Sequence, residues 1–259
     1  MRKTNKPLIL ISNDDGVHAK GIKQLTEAIR SLGDVIVVAP HQARSGMSSA
    51  ITSEIPIRAS LLRQEEGLAV WSCTGTPVDC IKLGINELVD RKPDLVLSGI
   101  NHGSNAAVCV IYSGTMGAAM EGCIFGIPSL GISLTDHSPD ADFRNAAKYG
   151  KAVAKKILEE GLPKGTCLNL NIPNIPEVKG LKICSQTEGY WTKEFMESKD
   201  AAGKKVYWLT GEFLNLDPDN SNSDEWALSQ GYASLVPIKI DMTDYTFLEE
   251  IKHWETPGL

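Results

Sequence analysis

Short apolar runs alternate with segments whose apolar residues recur every three or four positions, and the alternation continues through the first two-thirds of the chain. Leu8, Ile9, Leu10 and Ile11 form a short continuous run that reads as a strand buried on both faces. Ile22, Leu25, Ile29 and Leu32 then recur at helical spacing until Gly33 stops the helix. Residues 35–39 form a second strand, closed by Pro40, and residues 95–97 a third buried run. Before that third run, Thr76 as cap and Pro77 at the first position mark a helix start, followed by the stripe Val78, Ile81, Ile85 and Leu88. Residues 129–134 and 167–172 are further strands, and the helix between them carries Phe143, Ala146, Val153 and Ile157. Strands and helices alternating at this length predict a parallel sheet covered on both faces. Residues 51–59 and 68–72 read as extra strands inserted after the second.

The pattern changes near Gln186. Tyr190, Trp191, Tyr207, Trp208 and Trp226 concentrate the aromatics, and Ala201-Ala202-Gly203-Lys204 is a turn signal between two extended stretches. A long hairpin is expected there. A polar loop from Asp217 to Ser223 leads into a short helix over residues 224–230, stopped by Gly231. The chain divides into an α/β catalytic domain over residues 1–186 and a hairpin arm with a C-terminal segment over residues 187–259. A projecting aromatic hairpin suits assembly between subunits, and the alternative is that it folds back on its own domain.

At 259 residues the chain can bury a sizeable core, and its net charge of −6 gives no footprint for a nucleic-acid polymer. An anionic substrate would need a local positive centre, which a metal supplies. The start Met1-Arg2-Lys3-Thr4-Asn5-Lys6 is basic, but the apolar run behind it is too short for a signal-peptide core, and no segment approaches transmembrane length. The six cysteines, at 73, 80, 109, 123, 167 and 184, form no CxxC pair. They read as reduced thiols of a cytoplasmic protein with no membrane partner.

The chemistry concentrates where the first strand breaks off, in Ser12-Asn13-Asp14-Asp15-Gly16. Neighbouring side chains of a strand point to opposite faces, so within the strand one aspartate would enter the core, at high cost. The pair therefore belongs just past the strand's C-terminal end, where Gly16 lets the chain turn and where open α/β sheets bind ligands. Two carboxylates converging there can hold a hard divalent cation, whereas the bland alternative is a turn capped by Asn13 or Asp14. Three further segments fall at the same edge: Arg44-Ser45-Gly46-Met47-Ser48-Ser49, Ser98-Gly99-Ile100-Asn101-His102-Gly103-Ser104-Asn105, and Tyr112-Ser113-Gly114-Thr115-Met116-Gly117, the last opening a helix over residues 117–125. Hydroxyls and glycines at a helix N-terminus offer an anion site. His102 is either a phosphate donor or a solvated loop residue, and His18, on the first turn of its helix, is read the same way. Glu121 pairs with Arg44 or sits behind a metal. Asp79 caps a helix.

With these segments in hand, the chain resembles the SurE family of survival-protein nucleotidases. The resemblance also rests on Gly75-Thr76-Pro77-Val78-Asp79-Cys80, on Glu121-Gly122, and on Gly231-Tyr232-Ala233-Ser234 with Pro237, and it runs nearly end to end. It implies a Rossmann-like three-layer α/β sandwich with a mostly parallel sheet, plus a C-terminal β-hairpin arm used in homodimers or homotetramers. It implies a metal-dependent phosphomonoesterase acting on nucleoside monophosphates, with 3′-nucleotides and short polyphosphate as further candidate substrates. By motif, one divalent ion, Mg²⁺ or Mn²⁺, is held by Asp14, Asp15, Ser45 and Asn101. Asp14, Asp15 and Asn101 are the catalytic candidates. Asn13, Ser45, Gly46, Asn105, Ser113, Gly114 and Thr115 are the candidates for binding phosphate.

Three rivals are weighed against this reading. A phosphoacceptor signalling domain would also hold Mg²⁺ on an acidic pair, but needs an aspartate after the third strand, where Ser98-Gly99-Ile100-Asn101 stands. A dinucleotide-binding protein needs G-x-G-x-x-G after the first strand. A serine hydrolase acting through Ser45 needs a G-x-S-x-G elbow and a histidine partner.

Overall fold

The computed structural model describes residues 6–256 and 258, so the basic start lies, Lys6 apart, outside the described residues. The strands are β1 (Leu8–Ser12), β2 (Asp34–Pro40), β3 (Ala59–Glu65), β4 (Leu68–Cys73), β5 (Leu95–His102), β6 (Ser129–Leu134), β7 (Thr166–Ile172), β8 (Leu181–Ile183), β9 (Gly189–Thr192), β10 (Phe195–Lys199), β11 (Lys205–Leu209), β12 (Glu212–Asn215) and β13 (Ala233–Lys239). The helices are α1 (Lys20–Ile29), α2 (Pro77–Leu83), α3 (Cys109–Tyr112), α4 (Gly114–Ile124), α5 (Arg144–Glu160), α6 (Asp224–Ser229) and α7 (Tyr245–Glu250). None is long and apolar enough to cross a membrane.

Consecutive residues of β1 serve opposite layers, as a strand buried on both faces requires. Ile9 and Ile11 pack with Ile22, Leu25 and Ile29 of α1 and with Phe143, Ala146 and Val153 at α5. Leu8 and Leu10 pack with Cys80 and Ile81 of α2 and Ala118 of α4. The result is the expected three-layer sandwich. Helix α1 has neither a side-chain cap nor an acidic first turn. At ten residues it would be marginal alone, so burial of its apolar stripe, about 1.5–3 kcal/mol per side chain, holds it in place.

Nine strands run in the order β3-β4-β2-β1-β5-β6-β7-β13-β8. From β4 to β7 neighbours are parallel, while β3 and β13 run antiparallel to β4 and β7. From β1 the chain builds outward through β2 and then, starting with β5, outward on the other side. The C-terminal ends of β1 and β5 therefore flank the topological switch point, where such sheets bind ligands.

Four differences from the sequence reading bear on the architecture. No strand forms over residues 51–58. Ile51 and Ile55 are exposed, Pro56 offers no N–H, and the strand that pairs with β4 begins only at Ala59. Helix α4 begins at Gly114 rather than Gly117, because the Ser113 hydroxyl accepts from the Met116 amide (3.0 Å) and caps it there. His18 precedes α1 instead of lying on its first turn. Finally, the sheet does not end at residue 186. After the antiparallel pairs β9–β12 and β10–β11, the chain returns and β13 inserts between β7 and β8, burying Leu235 and Val236. The arm is thus an excursion over residues 189–215, closed at its base by the Leu216 amide on the Glu188 carbonyl (3.0 Å). The expected turn at residues 201–204 is its tip.

Helix α1 meets β5 through Gly21, where a Cβ would overlap the Ile100 carbonyl oxygen and touch the Phe143 ring (3.2 Å). Gly21→Ala should therefore destabilise the fold by about 1–3 kcal/mol even though alanine favours helices. Urea denaturation of the two proteins measures this, and equal midpoints would show that α1 can move away at no cost.

Candidate active site

At the end of β1, Ser12, Asn13 and Asp14 are buried and Asp15 is half-buried. The Asn13 amide donates to the Gly16 carbonyl (3.0 Å), so the capped turn is real, and Gly16 takes φ +97°. The aspartates do other work. Asp14 Oδ1 accepts from the Thr115 hydroxyl (2.5 Å), and its main-chain carbonyl accepts from the Arg44 amide (2.6 Å). Asp15 Oδ2 accepts from the His102 amide (3.2 Å) at the end of β5. Gly114 is needed for this approach, since a Cβ there would lie 2.9 Å from that of Asp14.

The loop after β2 is fastened across the site. Besides Arg44, the Ser48 amide and hydroxyl donate to the carbonyls of Tyr112 (3.1 Å) and Ile111 (2.6 Å). Ser45 and Gly46 are exposed on this loop, next to the residue bonded to Asp14. The Asn101 amide donates to the Gly103 carbonyl (2.9 Å), which leaves its oxygen end for a ligand. Asp14, Gly114 and Thr115 thus meet at the switch point, Asp15 is bonded to the backbone of the residue after Asn101, and the loop carrying Ser45 is tied to Asp14 through the Arg44 amide.

Other candidates are placed differently. The Asn105 side chain turns into the protein and donates to the Ser133 hydroxyl (2.8 Å). Glu121 pairs with Lys82 (2.6 Å), while the Arg44 guanidinium reaches the Thr74 carbonyl (3.4 Å), so the expected Arg44–Glu121 pair is absent. The His102 ring stands edge-on to Phe143, with centroids 4.8 Å apart. Asp79 forms a capping box with Thr76 and also accepts from the Thr52 amide.

Some contributors escaped the sequence reading. His137 lies where a Cβ on Gly103 would be, on the Asp15 side of the site. Asn169 and Asn171 of β7 hold the backbone of Asn105: Asn169 donates to its carbonyl (2.8 Å) and Asn171 accepts from its amide (2.8 Å). Two amides at alternate positions of an otherwise apolar strand were the available signal.

Burial pushes Asp14 up to about 6, and the neighbouring Asp15 charge adds to this against the Thr115 hydrogen bond. Burial raises Asp15 as well, opposed by the His102 amide and the His102 and His137 rings. Two adjacent carboxylates disfavoured as anions, beside a buried Asn13 Oδ1 that no donor satisfies, form a site that a cation would complete. No cluster of three or more His, Cys, Asp or Glu side chains exists among the described residues. The donors available are therefore two carboxylates and neutral oxygens, a set that fits Mg²⁺ or Mn²⁺.

The raised Asp14 value makes stability depend on pH. The group favours its neutral form in the fold, so its contribution is present below about pH 3.8 and is lost as pH rises to about 6. The full change is roughly 3 kcal/mol. Metal-free wild type should thus lose stability across this window, Asp14→Asn should not, and Mn²⁺ above the window should restore the wild type. Melting temperatures against pH measure all three, and parallel curves for the two proteins would remove Asp14 as the cause.

The model of the family described as Survival protein SurE matches residues 9–193. A Bacteroides fragilis protein named 5′-nucleotidase SurE is 50% identical over 253 residues, covering 98% of this chain and 99% of its own length. A Phocaeicola vulgatus protein of the same name is 50% identical over 252 residues, covering 97% and 98%. The crystal structure of the SurE protein from Aquifex aeolicus superposes with a TM-score of 0.83 at 38% identity, covering 96% of this chain and all of that one. With family match, near-full-length relatives and fold in agreement, the chain belongs to the SurE family.

Proposed function

We propose that the protein is a divalent-metal-dependent phosphomonoesterase that hydrolyses nucleoside monophosphates to nucleoside and phosphate. The observation that carries this reading is the meeting of Asp14 with the N-terminus of α4 and of Asp15 with the end of β5, beside Asn101, at the switch point. The name 5′-nucleotidase borne by relatives half identical to this chain supports it.

Asp14, Asp15, Ser45 and Asn101 would hold the ion, Mg²⁺ or Mn²⁺. When bound, it supplies charge that polarises a phosphoryl oxygen and acidifies water. The chain's own residues do the rest. Asp14 or Asp15 accepts the proton of the attacking water. Thr115 and the backbone of Gly114 and Ser113 stand at the N-terminus of α4, where partial positive charge suits phosphoryl oxygens. Asn13, Gly46 and Asn105 shape the surrounding loops. The substrate range, including 3′-nucleotides and short polyphosphate, is set by how these loops receive the leaving group.

The arm, in this reading, joins copies of the chain into a homodimer or homotetramer. Tyr190, Phe195, Tyr207, Trp208 and Leu209 are exposed along it, more apolar surface than a small two-stranded ribbon leaves in water. All six cysteines are free thiols, which supports a reducing, cytoplasmic setting.

Chelation should abolish phosphate release from a nucleotide panel, and Mn²⁺ or Mg²⁺ should restore it. Asp15→Asn should lower turnover by several orders of magnitude while leaving the fold intact. Full activity in rigorously metal-free protein, or near-normal turnover of the variant at saturating metal, would defeat the mechanism. Replacing residues 191–208 by a short Gly-containing turn should give a smaller particle by light scattering, and an intact protein that is monomeric at micromolar concentration would defeat the assembly role.

A further inference from the structure

Asp224 is the most buried carboxylate among the described residues, at 1% exposure, and no Lys, Arg or His among them forms an ion pair with it. A charge so placed is costly unless hydrogen bonds satisfy it, and here they do. Oδ1 accepts from the Thr187 amide (2.9 Å), the Thr187 hydroxyl (2.6 Å) and the Glu225 amide (2.9 Å). Oδ2 accepts from the Ala107 amide (2.9 Å). The start of α6 does not need this carboxylate as its cap, because Ser223 already accepts from the Trp226 amide. The carboxylate of Asp224 instead reaches three segments distant in sequence: α6, the connection into the arm, and the loop after β5.

That loop matters because it joins Asn101 to Ser113, Gly114 and Thr115. Asn171 and Asn169 pin it at Asn105, and Asp224 pins it at Ala107. Ala107 takes φ +50°, a left-handed conformation that alanine rarely adopts and that persists only where neighbours enforce it. From there the chain passes through α3 directly into the N-terminus of α4, which meets Asp14. On the other side of the carboxylate, Thr187 stands two residues before β9, the first strand of the arm.

We infer that Asp224 is a positioning residue for phosphoryl transfer: by holding the Ala107 amide it sets the N-terminus of α4 against Asp14, and it ties that placement to the root of the arm. The inference rests on the phosphomonoesterase reading above. Geometry at this level governs turnover more than binding, since a displacement of about 1 Å in a catalytic constellation costs on the order of 100-fold in rate.

The test compares full-length wild type with Asp224→Asn, Thr187→Val and Ser223→Ala. Asparagine keeps the shape but turns one acceptor into a donor that faces another donor. Thr187→Val removes one hydroxyl and leaves the Ala107 bond. Ser223→Ala weakens the same helix without touching the loop. Three quantities are read: amide exchange across residues 106–110, Mn²⁺ affinity by calorimetry, and kcat and KM for a 5′-nucleotide and for para-nitrophenyl phosphate. Asp224→Asn should speed exchange and lower kcat by about tenfold or more on both substrates, with KM changed less and Mn²⁺ affinity within about threefold. Thr187→Val should shift kcat the same way by less, and Ser223→Ala should lower melting temperature but spare kcat.

A folded Asp224→Asn protein with wild-type kcat overturns the inference, as does an equal kcat loss in Ser223→Ala at equal loss of stability. If Asp224→Asn does not fold, unchanged exchange and kcat in Thr187→Val overturn it instead. A wild type that releases no phosphate from any substrate defeats the phosphomonoesterase reading, and the exchange data then judge by themselves whether Asp224 holds the loop.

Discussion

The hydrogen bond from Thr115 to Asp14 joins a buried carboxylate at the end of a central strand to the N-terminus of a helix from the opposite half of the sheet. Most of the local architecture follows from making that contact possible. Gly114 has no side chain, so α4 can approach Asp14. Gly117 has none either, so the Ser48 backbone can lie across the same helix. Ser113 starts α4 one turn earlier than the sequence pattern suggests, and this turn is the one that touches Asp14. Each glycine here is demanded by contact, not by flexibility.

Asp15 makes the complementary bond to β5, so two consecutive residues clamp the two sides of the switch point. The clamp leaves both carboxylates short of positive charge, because their partners are neutral hydroxyl and amide groups. That shortage is a stability cost, and under the proposed metal-dependent reading a cation held there would remove the cost and gain the attraction together.

How much of this was legible depended on the range of the interaction. Leu8 to Ile11 and the stripe through Ile22, Leu25 and Ile29 declared their elements because periodicity is local. The Thr76–Asp79 box was legible for the same reason, both partners lying within one turn. Ile51 and Ile55 misled because apolar character stood in for a strand partner that the fold does not provide. Glu121 reads from sequence as pairing with Arg44 or sitting behind a metal, and only the packing of α2 on α4 reveals Lys82 as its partner. Asn105 belongs to a motif at the site edge, yet its amide points inward to Ser133, a direction no spacing encodes. The sequence shows Asp224 only as the start of a short helix, and the fold alone brings Ala107 to it.

The return of β13 has a consequence for biosynthesis. As the chain leaves the ribosome, β7 is complete some sixty residues before its neighbour exists, and β8 cannot substitute because it pairs only with β13. Throughout that interval β7 presents an open row of backbone donors and acceptors, and the aromatic arm emerges beside it before the sheet is sealed. The nascent protein is therefore most exposed to mispairing between the synthesis of β7 and that of β13, and β13 is the seal.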